Sequence, residues 1–446
     1  MKQFTHVFYG IINLRLDSVL HVGGGEDASF HMTVNGEDNF IIPASGIAGA
    51  VGHYIQMADA DAAVLLGNKE YDSSIYFYDA VCEKVSIEHR TGIKIDNKYG
   101  TAEGSSLINM DYISPGMETR IRIQGFASNE NELKQIENVY VHIGNGFAAG
   151  SILLGAKKAS GAGRFVINDV GANGSFYGKV LKLDLRNEKE LNRYLRGVEK
   201  CFSDCNEKKI FKDSGNSILD TFVLEASVPS GLLVGGGSTE DEEIEANNVN
   251  MYRLLGEKKE YFIPGSTFKG ILRSYAEMVA DELKLPQELV KDIYGSESGG
   301  LDDSGQMTGN PSRVIVRDCL IRNPAKVMHN RIKIDRWLGG TMNGAKMVEE
   351  VLYIDKEPIS VEVSISGELN TKQRAAANAL VYLALRDIGA GLVTVGSGRS
   401  IGHGRLCGKK LNINGVDCRF KDWQLQLGEK EAFISSCIRE LEEYGA

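Results

Sequence analysis

The feature that most constrains this chain is that it repeats itself. Leu20-His21-Val22-Gly23-Gly24-Gly25 returns 212 residues later as Leu232-Leu233-Val234-Gly235-Gly236-Gly237, and Phe40-Ile41-Ile42-Pro43-Ala44-Ser45 returns 221 residues later as Tyr261-Phe262-Ile263-Pro264-Gly265-Ser266. Ile93-Lys94-Ile95-Asp96 and Ile332-Lys333-Ile334-Asp335 are 239 apart, Gly161-Ala162-Gly163-Arg164 and Gly402-His403-Gly404-Arg405 are 241 apart, and Leu183-Asp184-Leu185 and Leu425-Gln426-Leu427 are 242 apart. The landmarks keep one order and their separation only grows, as in a tandem duplication whose second copy has gained loop insertions. A chain of 446 residues is about three times a usual domain, so two copies of one unit account for it. The copies run over 1–205 and 219–446, joined by a polar connector at 206–218 that follows an amphipathic helix over 189–201.

Each copy predicts one order of elements. A strand (5–16; 221–228) leads into the triple glycine, then into an extended segment ending in Ile-Pro. Pro43 and Pro264 precede Ser45 and Ser266, whose hydroxyls are placed to cap a following helix. Thr267 to Leu283 is a convincing helix; its counterpart carries Gly46, Gly49 and Gly52, a pattern that predicts close packing against a neighbour. A strand (75–80; 314–320), a long basic loop, an alternating strand (120–124; 360–365), a helix (130–145; 371–388) and a glycine-rich hairpin follow. Two β-α-β units of mixed order imply an α+β fold, a split β-α-β or ferredoxin-like sheet in each copy.

Net charge is −10, so the surface as a whole repels nucleic acid and anionic lipid, and any nucleic-acid site has to be a local basic groove. No run of about 18 uncharged apolar residues and no signal core are present, which predicts a cytoplasmic protein with no membrane partner. The seven cysteines are odd in number and scattered, as suits reduced thiols. Glycine is abundant, 51 residues against 8 prolines, and its densest stretch is Gly396 to Arg405. That stretch spaces its glycines wrongly for a dinucleotide fingerprint and precedes a strand rather than a helix, and no P-loop motif occurs. Arg399 and Arg405, echoed by Lys158 and Arg164, instead suit backbone N–H groups and cations set against phosphates.

Lys269 and Arg273, four apart near a helix start, could face one phosphate together with the helix N-terminus. The second-copy loop carries Arg313, Arg317, Arg322, Lys326, His329, Arg331, Lys333 and Arg336, then Trp337 and Leu338. This local reversal of charge ends in an apolar tip suited to wedging between bases. The first-copy loop, with Lys94, is a weaker version of the same plan.

The succession of a glycine loop, IPGSTFKGILRSYAE (263–277), RVIVRD (313–318), NRIKIDRWLGGTMNGAK (330–346) and VGSGRSIGHGRL (395–406) resembles the repeat-associated mysterious protein (RAMP) superfamily. The resemblance points to the backbone subunits of type III CRISPR effector complexes, in a fused, III-D-like form. It covers nearly the whole chain twice, with the first copy's motifs decayed. It implies ferredoxin-like palms with thumb-like hairpins, a guide CRISPR RNA and a target single-stranded RNA as ligands, and other subunits of the complex as partners. Gly23, Gly24, Gly25, Ser45, Lys94, Lys158, Arg164, Gly235, Gly236, Gly237, Ser266, Lys269, Arg273, Arg331, Lys333, Arg336, Trp337, Arg399 and Arg405 are the RNA-binding positions under this reading.

In active members of the family an aspartate between the glycine turn and the Ile-Pro strand cuts target RNA with Mg2+ or another divalent cation. The family spacing, counted back from Pro43, lands on Ala28, just after Glu26 and Asp27; counted back from Pro264 it lands near Asn248, after the acidic run that includes Asp241. Asp27, Glu26 and Asp241 are therefore the catalytic candidates, with Asp27 the candidate metal ligand. Three readings stay open: a guide-binding subunit that cuts target, the same subunit without cutting, and an endonuclease that matures guide RNA.

Overall fold

The computed structural model describes residues 4–23, 33–67, 72–95, 102–212, 219–235, 250–255, 258–296, 309–366 and 369–444, and leaves the side chains of 94, 95, 102–108, 255 and 343–345 undescribed. The chain divides into two compact units, one of residues 1–89, 109–158 and 162–218, the other of 90–108, 159–161 and 219–446.

The first half comprises β1 (His6–Leu16), β2 (Ile41–Ile42), α1 (Ala44–Ala58), α2 (Ala60–Ala63), β3 (Ile75–Phe77), β4 (Ala80–Val81), β5 (Ile87–Ile95), β6 (Ala102–Ile113), β7 (Glu118–Ala127), α3 (Glu130–Ala148), β8 (Phe165–Ile167), β9 (Phe176–Asp184), α4 (Glu188–Tyr194), α5 (Val198–Ser203) and β10 (Glu207–Phe211). The main sheet runs β10-β9-β1-β7-β3 with every neighbour antiparallel, and β8 pairs with the end of β1. Period-two alternation along β1 sends Phe8, Ile12 and Leu14 into the core with Ile47, Val51, Val139 and Ile143 of α1 and α3. Val7 and Tyr9 face the other way, against Cys201, Phe202 and Cys205 around α5. Both faces of this sheet are therefore covered. At Gly10 an added Cβ would fall 2.5 Å from the Tyr140 ring, so glycine lets α3 approach and Tyr140 donate its hydroxyl to the Ile11 carbonyl, 2.8 Å.

The second half comprises β11 (Asp220–Leu232), β12 (Tyr252–Leu255), β13 (Lys258–Ile263), α6 (Gly265–Leu283), α7 (Gln287–Tyr294), β14 (Val314–Val316), β15 (Cys319–Ile321), β16 (Ala325–Ile334), β17 (Thr341–Ile365), α8 (Thr371–Gly389), β18 (Cys407–Ile413), β19 (Val416–Lys421), β20 (Gln424–Gln426) and α9 (Glu431–Glu443). Its sheet runs β14-β17-β11-β18-β19-β20, again antiparallel throughout, with β16 paired to the outer part of β17. The order β14-β17-β11-β18 repeats β3-β7-β1-β9 strand for strand. Phe222, Leu224 and Ala226 of β11 join Leu272, Ala276, Leu380 and Ile434 in one core. The opposite face is polar: Lys410 pairs with Glu225 (3.0 Å) and Asp417 (3.2 Å), and Arg317 with Glu362 (2.8 Å).

Several expectations need correction. Ser45 and Ser266 do not cap their helices. The N-cap positions are Pro43 and Pro264, which have no side chain to offer, and a carboxylate from across the fold accepts the first helical N–H instead: Asp79 from Ala44 at 2.7 Å, Asp318 from Gly265 at 2.9 Å. Gly46, Gly49 and Gly52 lie inside a formed helix where an added Cβ would meet nothing within 4 Å, so they serve no close contact. The helix expected over 189–201 is two short helices broken at Gly197, whose φ is +100°. The long basic loops are strand ribbons, β5 paired with β6, and β16 antiparallel to β17. Residues 207–211, within the stretch read as a connector, form the edge strand β10.

Asp220 fastens β11 to α8 and to the β18–β19 turn. Its carboxylate accepts from Arg374 Nε (2.6 Å), Asn378 Nδ2 (2.9 Å) and Asn414 Nδ2 (3.1 Å). Burial alone would raise its pKa, but these donors outweigh burial and hold it below the usual carboxylate value. A depressed folded pKa stabilises above the unfolded value, near 3.9, and that contribution is lost as pH falls through the folded value. Asp220→Asn should therefore cost about 2–3 kcal/mol in urea unfolding at pH 7. The gap between parent and variant should narrow below about pH 4; a gap independent of pH would mean that Asp220 acts through shape alone.

Candidate nucleic-acid interface

The glycine-rich turns of the two units are built from the same bonds at the same relative positions. In unit 1 the Leu154 N–H donates to the Gly163 carbonyl (2.9 Å), Gly163 N–H to the Val19 carbonyl (2.7 Å) and Ala156 N–H to the His21 carbonyl (2.7 Å). In unit 2 Val395 donates to Gly404 (2.8 Å), Gly404 to Gly231 (2.7 Å) and Ser397 to Leu233 (2.8 Å). A Cβ on Gly163 would fall 1.8 Å from the Leu154 carbonyl oxygen, and one on Gly404 would fall 1.9 Å from that of Val395. Both glycines have positive φ, +83° and +76°. Only glycine permits two backbones to run this close in this conformation.

Each turn delivers one arginine. The Arg164 N–H donates to Ser18 Oγ and the Arg405 N–H to Ser230 Oγ, both at 2.9 Å. The two side chains then pass over Gly150 and Gly391, where an added Cβ would fall 3.1 and 2.6 Å from the respective Nε. Arg164 Nε lies 3.6 Å from Asp17, while the exposed Arg405 guanidinium lies 4.8 Å over the Trp423 ring. Lys158 and Arg399 occupy matching short 3-10 turns; burial pushes the Lys158 ammonium below the usual lysine pKa, and Arg399 is exposed.

The base of the second ribbon locks onto the glycine turn. Arg331 Nη2 donates to His403 Nε2 (2.6 Å) and to the buried carboxylate of Glu349 (2.8 Å), while His403 Nδ1 lies 3.2 Å from the Ser230 carbonyl oxygen. Beyond this anchor Lys333 and Arg336 are exposed and make no ion pair among the described residues. At the tip Asp335 Oδ1 accepts the N–H groups of Trp337 (2.7 Å) and Leu338 (2.9 Å), which holds its carboxyl below the usual pKa. Those side chains are 95% and 87% exposed. The tip is thus an ordered turn presenting an apolar edge.

The remaining candidates separate. Gly24, Gly25, Glu26, Asp27, Gly236, Gly237 and Asp241 lie outside the described residues, and the side chain of Lys94 is undescribed. The bases of both loops are tied: Thr33 N–H donates to the Val22 carbonyl (2.9 Å), Thr33 Oγ1 to that of Gly23 (2.8 Å), and Met251 N–H to that of Val234 (3.0 Å), with a bridge between Gly235 and Asn250. Lys269 and Arg273 both lie on α6, which starts at Gly265. Arg273 pairs with Glu277 at 2.9 Å, and the first N–H of the helix is taken by Asp318. Ser45 and Ser266 are exposed in the first turn of their helices. Among the described residues no group of three His, Cys, Asp or Glu side chains could hold a metal ion. Sequence reasoning missed Ser18 and Ser230, 212 apart like the glycines, and Asp79 and Asp318, 239 apart like the Ile-Lys-Ile-Asp pair; carrying the repeat offsets along would have found both.

A family model for the RAMP superfamily matches residues 13–166 and 225–407, three-quarters of the chain in two tandem blocks, and the chain belongs to that superfamily. No curated protein matches it in sequence. Among solved structures it is similar, at 18% identity and a TM-score of 0.30, to a chain in a cryo-EM structure of the type III-B Cmr-beta complex bound to cognate target RNA. The match covers 40% of this chain and 61% of that one. No described helix is long and apolar enough to cross a membrane.

Gly404→Ala should unfold with a loss of more than about 2 kcal/mol, because the Cβ meets a fixed carbonyl as well as an unfavourable φ. At Gly402, where φ is +93° but the space is open, alanine should cost only about 1–2 kcal/mol. Equal losses in urea unfolding would mean that backbone approach is not what demands glycine.

Proposed function

We propose that this chain is a guide RNA-binding backbone subunit of a type III CRISPR effector complex, made of two fused ferredoxin-like modules, each with a thumb-like ribbon. The observation that carries the reading is the duplicated glycine turn that sets one arginine, Arg164 or Arg405, and one further cation, Lys158 or Arg399, at the same place in each unit. Fixed cations on rigid backbone turns suit a sugar-phosphate strand and carry no base code. The strand orders β9-β1-β7-β3 and β18-β11-β17-β14, with a helix after the first and third strand of each, support the ferredoxin-like assignment. The exposed Trp337 and Leu338 above Lys333 and Arg336 support a ribbon that enters between bases.

Target cleavage is the finer part of this proposal. Asp27 with Glu26, or Asp241, would supply the carboxylates and Mg2+ or another divalent cation would be required. The guide-maturing reading gains nothing from His403, because both its ring nitrogens are engaged and the side chain is buried.

Assembled with guide RNA and given labelled target and Mg2+, the parent complex should yield a cut that EDTA abolishes. Asp27→Ala or Asp241→Ala should remove that cut without loss of target binding; an unchanged ladder for both would leave the subunit a scaffold. Arg399→Ala combined with Arg405→Ala should weaken guide retention and flatten the log-log salt slope by about 1.4, two single-strand phosphate contacts at roughly 0.7 each. Retention and slope equal to the parent's would overturn the binding reading.

A further inference from the structure

Unit 2 contains a residue in the wrong conformation for its type. The β18–β19 turn uses Asn414-Gly415, both with positive φ (+48° and +82°), the usual pair for a tight two-residue hairpin. The next turn, between β19 and β20, has the same form with φ of +51° at Asp422 and +65° at Trp423. A bulky aromatic residue at a position suited to glycine is a strained choice, and such strain persists where something other than folding selects it. Trp423 does not repay it by burial: the side chain remains 48% exposed and stacks on no other aromatic ring among the described residues.

What the turn achieves is to set the indole under the guanidinium of Arg405, 4.8 Å from ring centroid to Cζ, beside the glycine turn. Gly391 leaves room for the arginine to pass, and Leu392 next to it is 74% exposed. A guanidinium stacked on a ring keeps its N–H groups in its own plane, available to phosphate oxygens. At 48% exposure the indole keeps surface that a second flat group could cover. In unit 1 the Nε of the matching Arg164 lies 3.6 Å from the Asp17 carboxylate.

We propose that Trp423 and Arg405 form a nucleotide-binding site in unit 2, in which a base of the bound strand stacks on the indole while its phosphate meets the guanidinium. This rests on the RNA-binding reading above and adds a base-stacking contact away from the ribbon tip. Trp423→Gly tests it cleanly, because Asp-Gly suits this turn better than Asp-Trp. The variant should melt at or above the parent's temperature, yet bind a labelled single-stranded RNA about five- to hundredfold more weakly. The same RNA made with abasic residues should bind parent and variant alike. With only two tryptophans in the chain, Trp337→Phe leaves Trp423 as the sole indole, and its fluorescence should be quenched on RNA addition. Unchanged affinity of Trp423→Gly would overturn the proposal. So would an equal loss on abasic RNA, or a defect confined to assembly with partner proteins. Failure of the parent to bind any RNA would remove the underlying reading instead.

Discussion

The approach of two backbones at the glycine turn is the constraint from which the rest follows. Gly404 hands its N–H to Gly231 and its carbonyl to Val395, so the end of β11, the turn and the start of β18 are one hydrogen-bonded lattice with no room for a side chain at its centre. That lattice fixes where Arg405 leaves the backbone, because its N–H is bound to Ser230. It also fixes the wall against which the ribbon base closes, because His403 projects from it to Arg331. Unit 1 repeats the lattice through Gly163, Val19 and Leu154, although few of the surrounding side chains are the same. Backbone geometry, rather than any side-chain motif, is what the duplication has kept.

This explains what was legible in the sequence. Glycines demanded by a lattice stand out at fixed spacing, so the repeat, the turn and its arginines could be read directly. The sheet strands were also legible, because β1 is rich in β-branched and aromatic residues on two covered faces and the start of β11 alternates buried with partly exposed positions. What escaped was whatever depends on residues distant in sequence. Asp79 and Asp318 sit well beyond the helices they cap, whereas Ser45 and Ser266 satisfied a local rule that Pro43 and Pro264 shift by one position. The ribbons read as loops because they are two-sided and solvated: β16 has no buried face to impose an alternation, only His329 and Arg331 partly covered at its base. Trp423 escaped for the opposite reason, since its turn breaks the rule by which such turns are recognised.

The Arg331–His403–Glu349 set makes the second ribbon an extension of the sheet rather than an appendage. β17 continues without a break from the ribbon tip into the sheet, 25 residues in all, so a force at the tip is carried by a central strand. Its inner end is clamped by Arg331, which needs His403 neutral at Nε2 to accept its N–H; the Nδ1–H is then left to donate to the Ser230 carbonyl. In unit 1 the corresponding strands are interrupted, β6 ending at Ile113 and β7 starting at Glu118, with Gly116 at φ +98° between them.

The sheet faces decide where a bound strand could lie. Many small α+β domains read single-stranded RNA by stacking bases on aromatic residues of the open sheet face. Unit 1 cannot, because Tyr9 and Tyr78 pack edge-on against Phe202, and α5 closes that face. Unit 2 leaves the face open but lines it with Glu225, Glu362 and Asp417, each already paired to a cation of the sheet. A phosphate arriving there would have to displace a carboxylate from Lys410 or Arg317 and then face it. Arg399, Arg405, Lys333 and Arg336, exposed and without an ion pair among the described residues, lie instead on the glycine turn and the ribbon, and on the RNA-binding reading those elements take over the task that the sheet surface performs elsewhere.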